Sequence, residues 1–298
     1  MSTNPNAMKS RIRAVIATLA LLAGAAGVAI AQAPPGAPPA GGPPPGFGGP
    51  PPGGPPGGPP GEDGPNPFAP PPVPADAPLP SSKPRDLDGV WYHEAPLEFQ
   101  IARDQFGYKT PFNAAGKKVM QRRVNSLKDG TPFINASTLC YPVGQPWQMD
   151  LNMPFRIVQS KQRLEFLFEE YHGYIQVLME SAKRPAASYM GTSVGHWDGD
   201  TLVVVTTGFK DGLWLDVNGT PASKNAKLTQ RIRKVKTDHW YLEIQFTVDD
   251  PAYYTRPWSW IRDYSWRPDM AVFREYNCEL QTGAKGGLDP SLGPEPQD

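Results

Sequence analysis

Two stretches carry residues able to do chemistry, SVGHWDGDTLVVVTTGF at 193–209 and PWSWIRDYSW at 257–266. In the first, His196 sits in a dense polar context, and an imidazole can serve as a general base near neutral pH. The segment FKDGLWLD that follows could fold back over the stretch and bring Asp211 and Asp216 to the ring. His196, Asp211 and Asp216 are therefore the acid–base candidates. The same residues also read as a plain turn: Asp198-Gly199 between two apolar runs predicts a two-residue type I′ hairpin, with Gly199 supplying the positive φ. In the second stretch, period-two alternation places Trp258, Trp260, Arg262, Tyr264 and Trp266 on one face and Ser259, Ile261, Asp263 and Ser265 on the other. Pointed into a barrel, that face would line a cavity around one cation and suit a flat or amphiphilic organic anion. Alternatively the rings fill a solid core and Arg262 pairs with a buried acid.

Other chemistries lack their residues. His93, His172, His196 and His239 stand singly, without the close spacing of a zinc site. Asp198 and Asp200 are followed by Leu202 and no suitably spaced acid, so they do not make a calcium loop. There is no nucleophile elbow, phosphate-binding loop or dinucleotide fingerprint, and neither metal nor cofactor is expected. Cys140 and Cys278 read as a disulfide if the chain is exported, closing a long loop at a gain of about 4–5 kcal/mol, or else as two buried thiols.

These side chains need strands to position them. HWYLEIQFTV alternates cleanly, with Trp240, Leu242, Ile244, Phe246 and Val248 on one face. Similar runs occupy 89–94, 155–160, 163–171, 173–180, 201–209, 227–235, 257–266 and 272–280. Hairpin connections are expected at 171–174, 236–240 and 265–272, and one amphipathic helix at 113–127, near an end or rim. The pattern predicts an all-β fold: an antiparallel up-and-down barrel of lipocalin or calycin form with one short helix.

That domain, residues 85–282, is flanked by segments of other composition. Residues 1–31 read as a signal peptide, with basic Lys9, Arg11 and Arg13, an apolar run and a small-x-small site ending at Ala31. An uncleaved anchor is the alternative, and the one route to a membrane. Residues 32–84 form a Pro/Gly-rich linker expected to be disordered; 23 of the 38 prolines fall between 34 and 84, with almost no aliphatic side chains to bury. Residues 283–298 read as a disordered tail. Loss of the signal takes away three positive charges, so the net charge of +0 becomes −3. Such a balance offers nothing to nucleic acid. Lipid-facing bands are absent from the strands, which argues against a barrel crossing the outer membrane.

DLDGVW (86–91), CYPVGQP (140–146), PFRIVQ (154–159), the 193–209 stretch, WLD (214–216), DDPAYYTRPW (249–258) and EYNCE (275–279) together resemble an uncharacterised family of exported bacterial β-domain proteins. The resemblance implies a secreted, barrel-like single domain and no established reaction. Relatives carry a G-H-P-H-S pattern where this chain has GTPAS, with Thr220 and Ala222 in place of the histidines, so any chemistry those histidines perform is not transferable. The leading expectation is a periplasmic or secreted module whose partner is a small hydrophobic or amphiphilic molecule. The alternatives are a cofactor-free lyase, isomerase or hydrolase acting inside the barrel, and a structural envelope protein with a solid core.

Overall fold

The computed structural model describes residues 72–93, 101, 103–131, 133–151, 153–179, 186–278 and 293–295. The expected signal peptide and most of the Pro/Gly segment lie outside them. Nine strands close into a barrel. They are β1 (Gly89–His93), β2 (Phe155–Gln159), β3 (Arg163–Phe168), β4 (Tyr174–Leu178), β5 (Thr192–Asp198), β6 (Thr201–Thr207), β9 (Lys227–Lys236), β10 (Trp240–Asp249) and β11 (Trp258–Trp266). The short strands β7 (Leu213–Trp214) and β8 (Pro221–Ala222) form a separate hairpin. Around the barrel, neighbours follow chain order and β11 returns to pair with β1.

Every seam is antiparallel except β4–β5. Strands that alternate in direction around a ring can close only in even number, so nine strands require one parallel pair. That pair cannot be joined by a tight hairpin, because the chain must travel back along the barrel before β5 begins. The seam is short, with Val177 opposite Ser193 and Leu178 opposite Val194. It is also close: a Cβ on Gly195 would lie 2.7 Å from Val177 Cγ1. The meander expected from the sequence is thus interrupted once.

The β5–β6 hairpin forms where expected, but its turn is shifted by one residue. Asp198 pairs with Thr201, so the two loop residues are Gly199 and Asp200. Gly199 has φ +58° and Asp200 does not join it in the left-handed region, the pattern of a type II′ turn rather than I′. The connections at 171–174 and 236–240 do join antiparallel neighbours. The one expected at 265–272 does not, and 272–278 forms no strand. Pairing of β1 with β11 closes the barrel and leaves no edge for a further strand; this segment is held instead by a disulfide from Cys278 to Cys140. Such a bridge is compatible with a non-cytoplasmic location.

Helix α1 (Ala114–Lys128) starts at Asn113, whose Oδ1 accepts from the Gly116 N–H at 2.9 Å. Its buried Arg123 donates to the Gly219 carbonyl, stacks over Trp214 and grips Glu295 through two nitrogens. Residues 293–295, placed by composition in a disordered tail, are therefore docked on the helix.

The barrel's two ends are closed differently. Where β9 ends and β10 begins, residues 78–87 form a strap. The Trp266 indole donates to Pro78 O at 2.7 Å, and Lys234 Nζ donates to Ser81 O and Asp86 O. Gln159 joins the strap by accepting from Leu87 N–H and donating to Arg85 O. The last residues of the expected linker thus belong to the folded domain. At the other end, residues 140–151 form a plug. Met149 Sδ accepts from the inward-facing Gln230 at 3.2 Å, and Gln145 donates to Met190 O and Ser193 Oγ. No helix among the described residues is long and apolar enough to cross a membrane.

Candidate ligand site inside the barrel

Register carries the β11 alternation into the interior. Trp258, Trp260, Arg262 and Tyr264 lie opposite Val248, Phe246, Ile244 and Leu242, the buried face of β10. Trp258, Trp260 and Tyr264 are 1%, 2% and 0% exposed. Trp258 and Trp260 have ring centroids 4.8 Å apart, and Trp260 stacks on Phe246 at 5.4 Å. Tyr264 meets Phe155 edge-on at 5.1 Å and His93 at 4.8 Å.

Arg262 finds a buried acid. Its Nε lies 3.5 Å from Asp150 Oδ1, contributed by the plug, with both side chains about nine-tenths or nearly so withdrawn from solvent. The cation expected to anchor an anion is therefore already compensated within the protein. His93, on the inward face of β1 beside Trp91, completes the group. Burial, assisted by the Arg262 charge, lowers its pKa to about 4, so the ring is neutral at pH 7. Burial, with the Asp150 charge adding, pushes the Tyr264 phenol well above its ordinary value, so it stays protonated.

The interior polar atoms are incompletely matched. Within the described residues, Trp258 Nε1, Trp260 Nε1, Tyr264 Oη and His93 Nε2 are buried and have no hydrogen-bond partner, and so is Gln145 Oε1 on the plug. Each such group costs on the order of 1–3 kcal/mol when it is taken out of water without a partner.

The remaining candidates from the sequence lie elsewhere. Trp266 shares the alternation but belongs to the strapped end, where its indole bonds Pro78 and its ring meets Trp91 edge-on at 5.1 Å. His196, Asp211 and Asp216 do not assemble, which corrects the acid–base expectation. His196 is exposed on the outer face of β5, because its inward neighbours are Ser193 and Gly195. Asp211 is exposed and ion-paired with Lys224 at 3.3 Å. Asp216 is buried and accepts from Ile101 N, Asn218 N, Thr220 N and Thr220 Oγ1, which makes it the organiser of the turn between β7 and β8. Burial nevertheless pushes its carboxyl up, against the pull of these donors. Thr220, where relatives are expected to carry a histidine, is one of those donors.

Three contributors escaped the sequence reading. His93 could have been found, since period two from the buried Trp91 places it on the inward face. Asp150 and Gln145 sit in a plug without periodicity and offered no signal. Among the described residues no three His, Cys, Asp or Glu side chains converge to hold a metal ion. No protein-family profile, curated protein or solved structure matches this chain.

Proposed function

We propose that the barrel binds a small amphiphilic molecule and carries it in the cell envelope. In this reading the chain is exported by its N-terminal signal to the periplasm or beyond, and it belongs with the exported bacterial β-domain proteins that its motifs resemble. One observation carries the reading: the indole N–H groups of Trp258 and Trp260 are buried without partners on the inner wall. An unpaired donor in a packed interior costs on the order of 1–3 kcal/mol, which a ligand with hydrogen-bond acceptors would recover while its apolar body met the rings. The Arg262–Asp150 pair is what the structural alternative also calls for, so support for the binding reading rests on the two indoles.

The test is purification of the native protein from its own envelope fraction, followed by denaturing extraction and mass spectrometry. The expected result is one compound in near-stoichiometric amount. An empty protein, with tryptophan emission unmoved by a broad panel of amphiphiles, would favour the solid core.

A further inference from the structure

Between β1 and α1 lies a loop whose backbone is fixed and whose aromatic side chains are not buried. Arg103 and Lys109 pair as an antiparallel bridge, which makes residues 104–108 the tip of a tight reversal. Asp104, its side chain 2% exposed, organises that tip. Its Oδ1 accepts from the N–H groups of Phe106 and Tyr108, both at 3.0 Å, and its Oδ2 accepts from Arg256 at 3.0 Å. Gly107, with φ +82°, completes the reversal, and Arg103 donates to its carbonyl at 2.7 Å. The loop is fastened to the outside of the barrel: Gln105 N–H donates to Ser259 O at 2.8 Å, and the Gln245 amide donates to Gln105 Oε1 at 2.6 Å. None of these bonds uses an aromatic ring. Phe106 is 74% and Tyr108 66% exposed.

A single exposed apolar residue is ordinary, whereas two on one rigid tip are a presented surface. Ile261, 40% exposed, lies beside the loop's anchor, since it is the next outward position after Ser259 on β11 and faces Gln245 across the ladder. The charge around the tip is one-sided. Arg103, Lys109 and Arg256 are exposed, and the acid within residues 101–118, Asp104, is buried. We propose that this tip docks the protein on an anionic phospholipid surface, with the two rings in the interfacial layer and the three cations on headgroup phosphates. Aromatic rings favour that layer, and basic side chains beside them are drawn to anionic lipid. A protein partner fits less well: two aromatic side chains bury about 150–250 Å² each, against roughly 800 Å² per partner in a stable protein interface. The route is independent of the N-terminal apolar run and of what the barrel holds.

The test is sedimentation of the full chain with phosphatidylcholine vesicles, with and without a quarter of phosphatidylglycerol. Wild type is compared with Phe106→Ser/Tyr108→Ser and with Lys109→Glu; the N-terminal run is common to all three, so differences report the loop. The double variant should bind the anionic vesicles at least tenfold more weakly, and Lys109→Glu about threefold, with no effect of Lys109→Glu on phosphatidylcholine alone. Amide exchange gives the local readout: anionic vesicles should slow residues 103–109 in wild type. Binding without that protection and equal across the variants would assign the membrane contact to the N-terminal run and overturn the proposal, as would absence of binding. Were the variants misfolded by circular dichroism, wild-type exchange would still decide the question. In the native envelope, a photoreactive benzoylphenylalanine in place of Phe106 should crosslink to phospholipid. Crosslinking to one protein instead would overturn the lipid assignment and make the tip a protein contact.

Discussion

The strap and the plug close the same barrel on opposite principles. At the strap, each long polar side chain finds a partner: Lys234 donates to two carbonyls, the Trp266 and Trp91 indoles to Pro78 O and Leu87 O, and Gln159 both donates and accepts. Around the plug, buried donors and acceptors stay unmatched. The backbone shows the same contrast. Among the described residues, the three non-glycines with left-handed φ are Cys140 (+56°), Tyr171 (+56°) and His172 (+47°). The first opens the plug and the other two sit in the β3–β4 connection, whose Glu170 carbonyl accepts from the plug's Gln148. Conformations of this kind cost on the order of 1–3 kcal/mol each and persist where the surroundings enforce them. Here the enforcing contacts are the Cys140–Cys278 bridge and Tyr276, whose ring lies 5.2 Å from that of Tyr171. One end is therefore fully matched, and the other carries unmatched polar groups and left-handed backbone held by its contacts.

Removing the bridge should break the comparison most. Cys140→Ser with Cys278→Ser releases a loop spanning 138 positions and should lower unfolding free energy by about 4–5 kcal/mol at most, read from the denaturant midpoint. The larger local change should be at the plug, where amide exchange of residues 143–149 should accelerate more than that of the strap. Equal acceleration at both ends would mean that the plug is not specifically tethered.

Acid should come next. The folded pKa of His93 is about 4, below its ordinary 6.5, so between these values the unfolded chain binds more protons and stability falls as pH falls. The full loss, about 3 kcal/mol, is reached below pH 4. Glu170 and Asp216, whose carboxyls are raised by burial, act in the opposite sense in the carboxylate range. The difference between wild type and His93→Gln isolates the histidine: the variant should lack the extra loss between pH 6.5 and 4, and parallel pH profiles would refute the neutral buried ring.

At the strap, Lys234→Met should cost about 2 kcal/mol, because Ser81 O and Asp86 O lose their donor. Burial already depresses the pKa of this lysine, so a small cost would mean that water replaces it readily. The smallest effects should differ in sign. Trp266→Phe removes a matched N–H and should destabilise by about 1 kcal/mol, whereas Tyr264→Phe removes an unmatched hydroxyl and should stabilise the unliganded protein by about 1 kcal/mol. Destabilisation by both would place a partner on the Tyr264 hydroxyl and erase the distinction between the ends.

Much of the wall was legible because strand alternation is local. Eight of the nine apolar runs became barrel strands, and the inward turn of Trp258, Trp260, Arg262 and Tyr264 followed from period two. Period two could not separate Trp266 from them, since a shared face says nothing about which end of a barrel a residue reaches. The run at 272–280 carries a strand-like pattern too, and 272–278 stays unpaired because hydrogen-bond partners are a property of the closed sheet. His196 misled for a related reason. Its polar neighbourhood in sequence is a hairpin, and hairpin residues alternate outward as often as inward.

The sequence by itself determined the strands, their inward faces, the helix with its Asn113 cap and, through two cysteines, the single available bridge. Those features depend on backbone periodicity and on side-chain chemistry within a few residues. Only the tertiary structure decided that nine strands close with one parallel seam, that residues 140–151 enter one end, and that Asp150 and His93 meet Arg262 and Tyr264 there. Such contacts join residues far apart in the chain, and their selection depends on barrel closure and on which polar groups burial leaves without water.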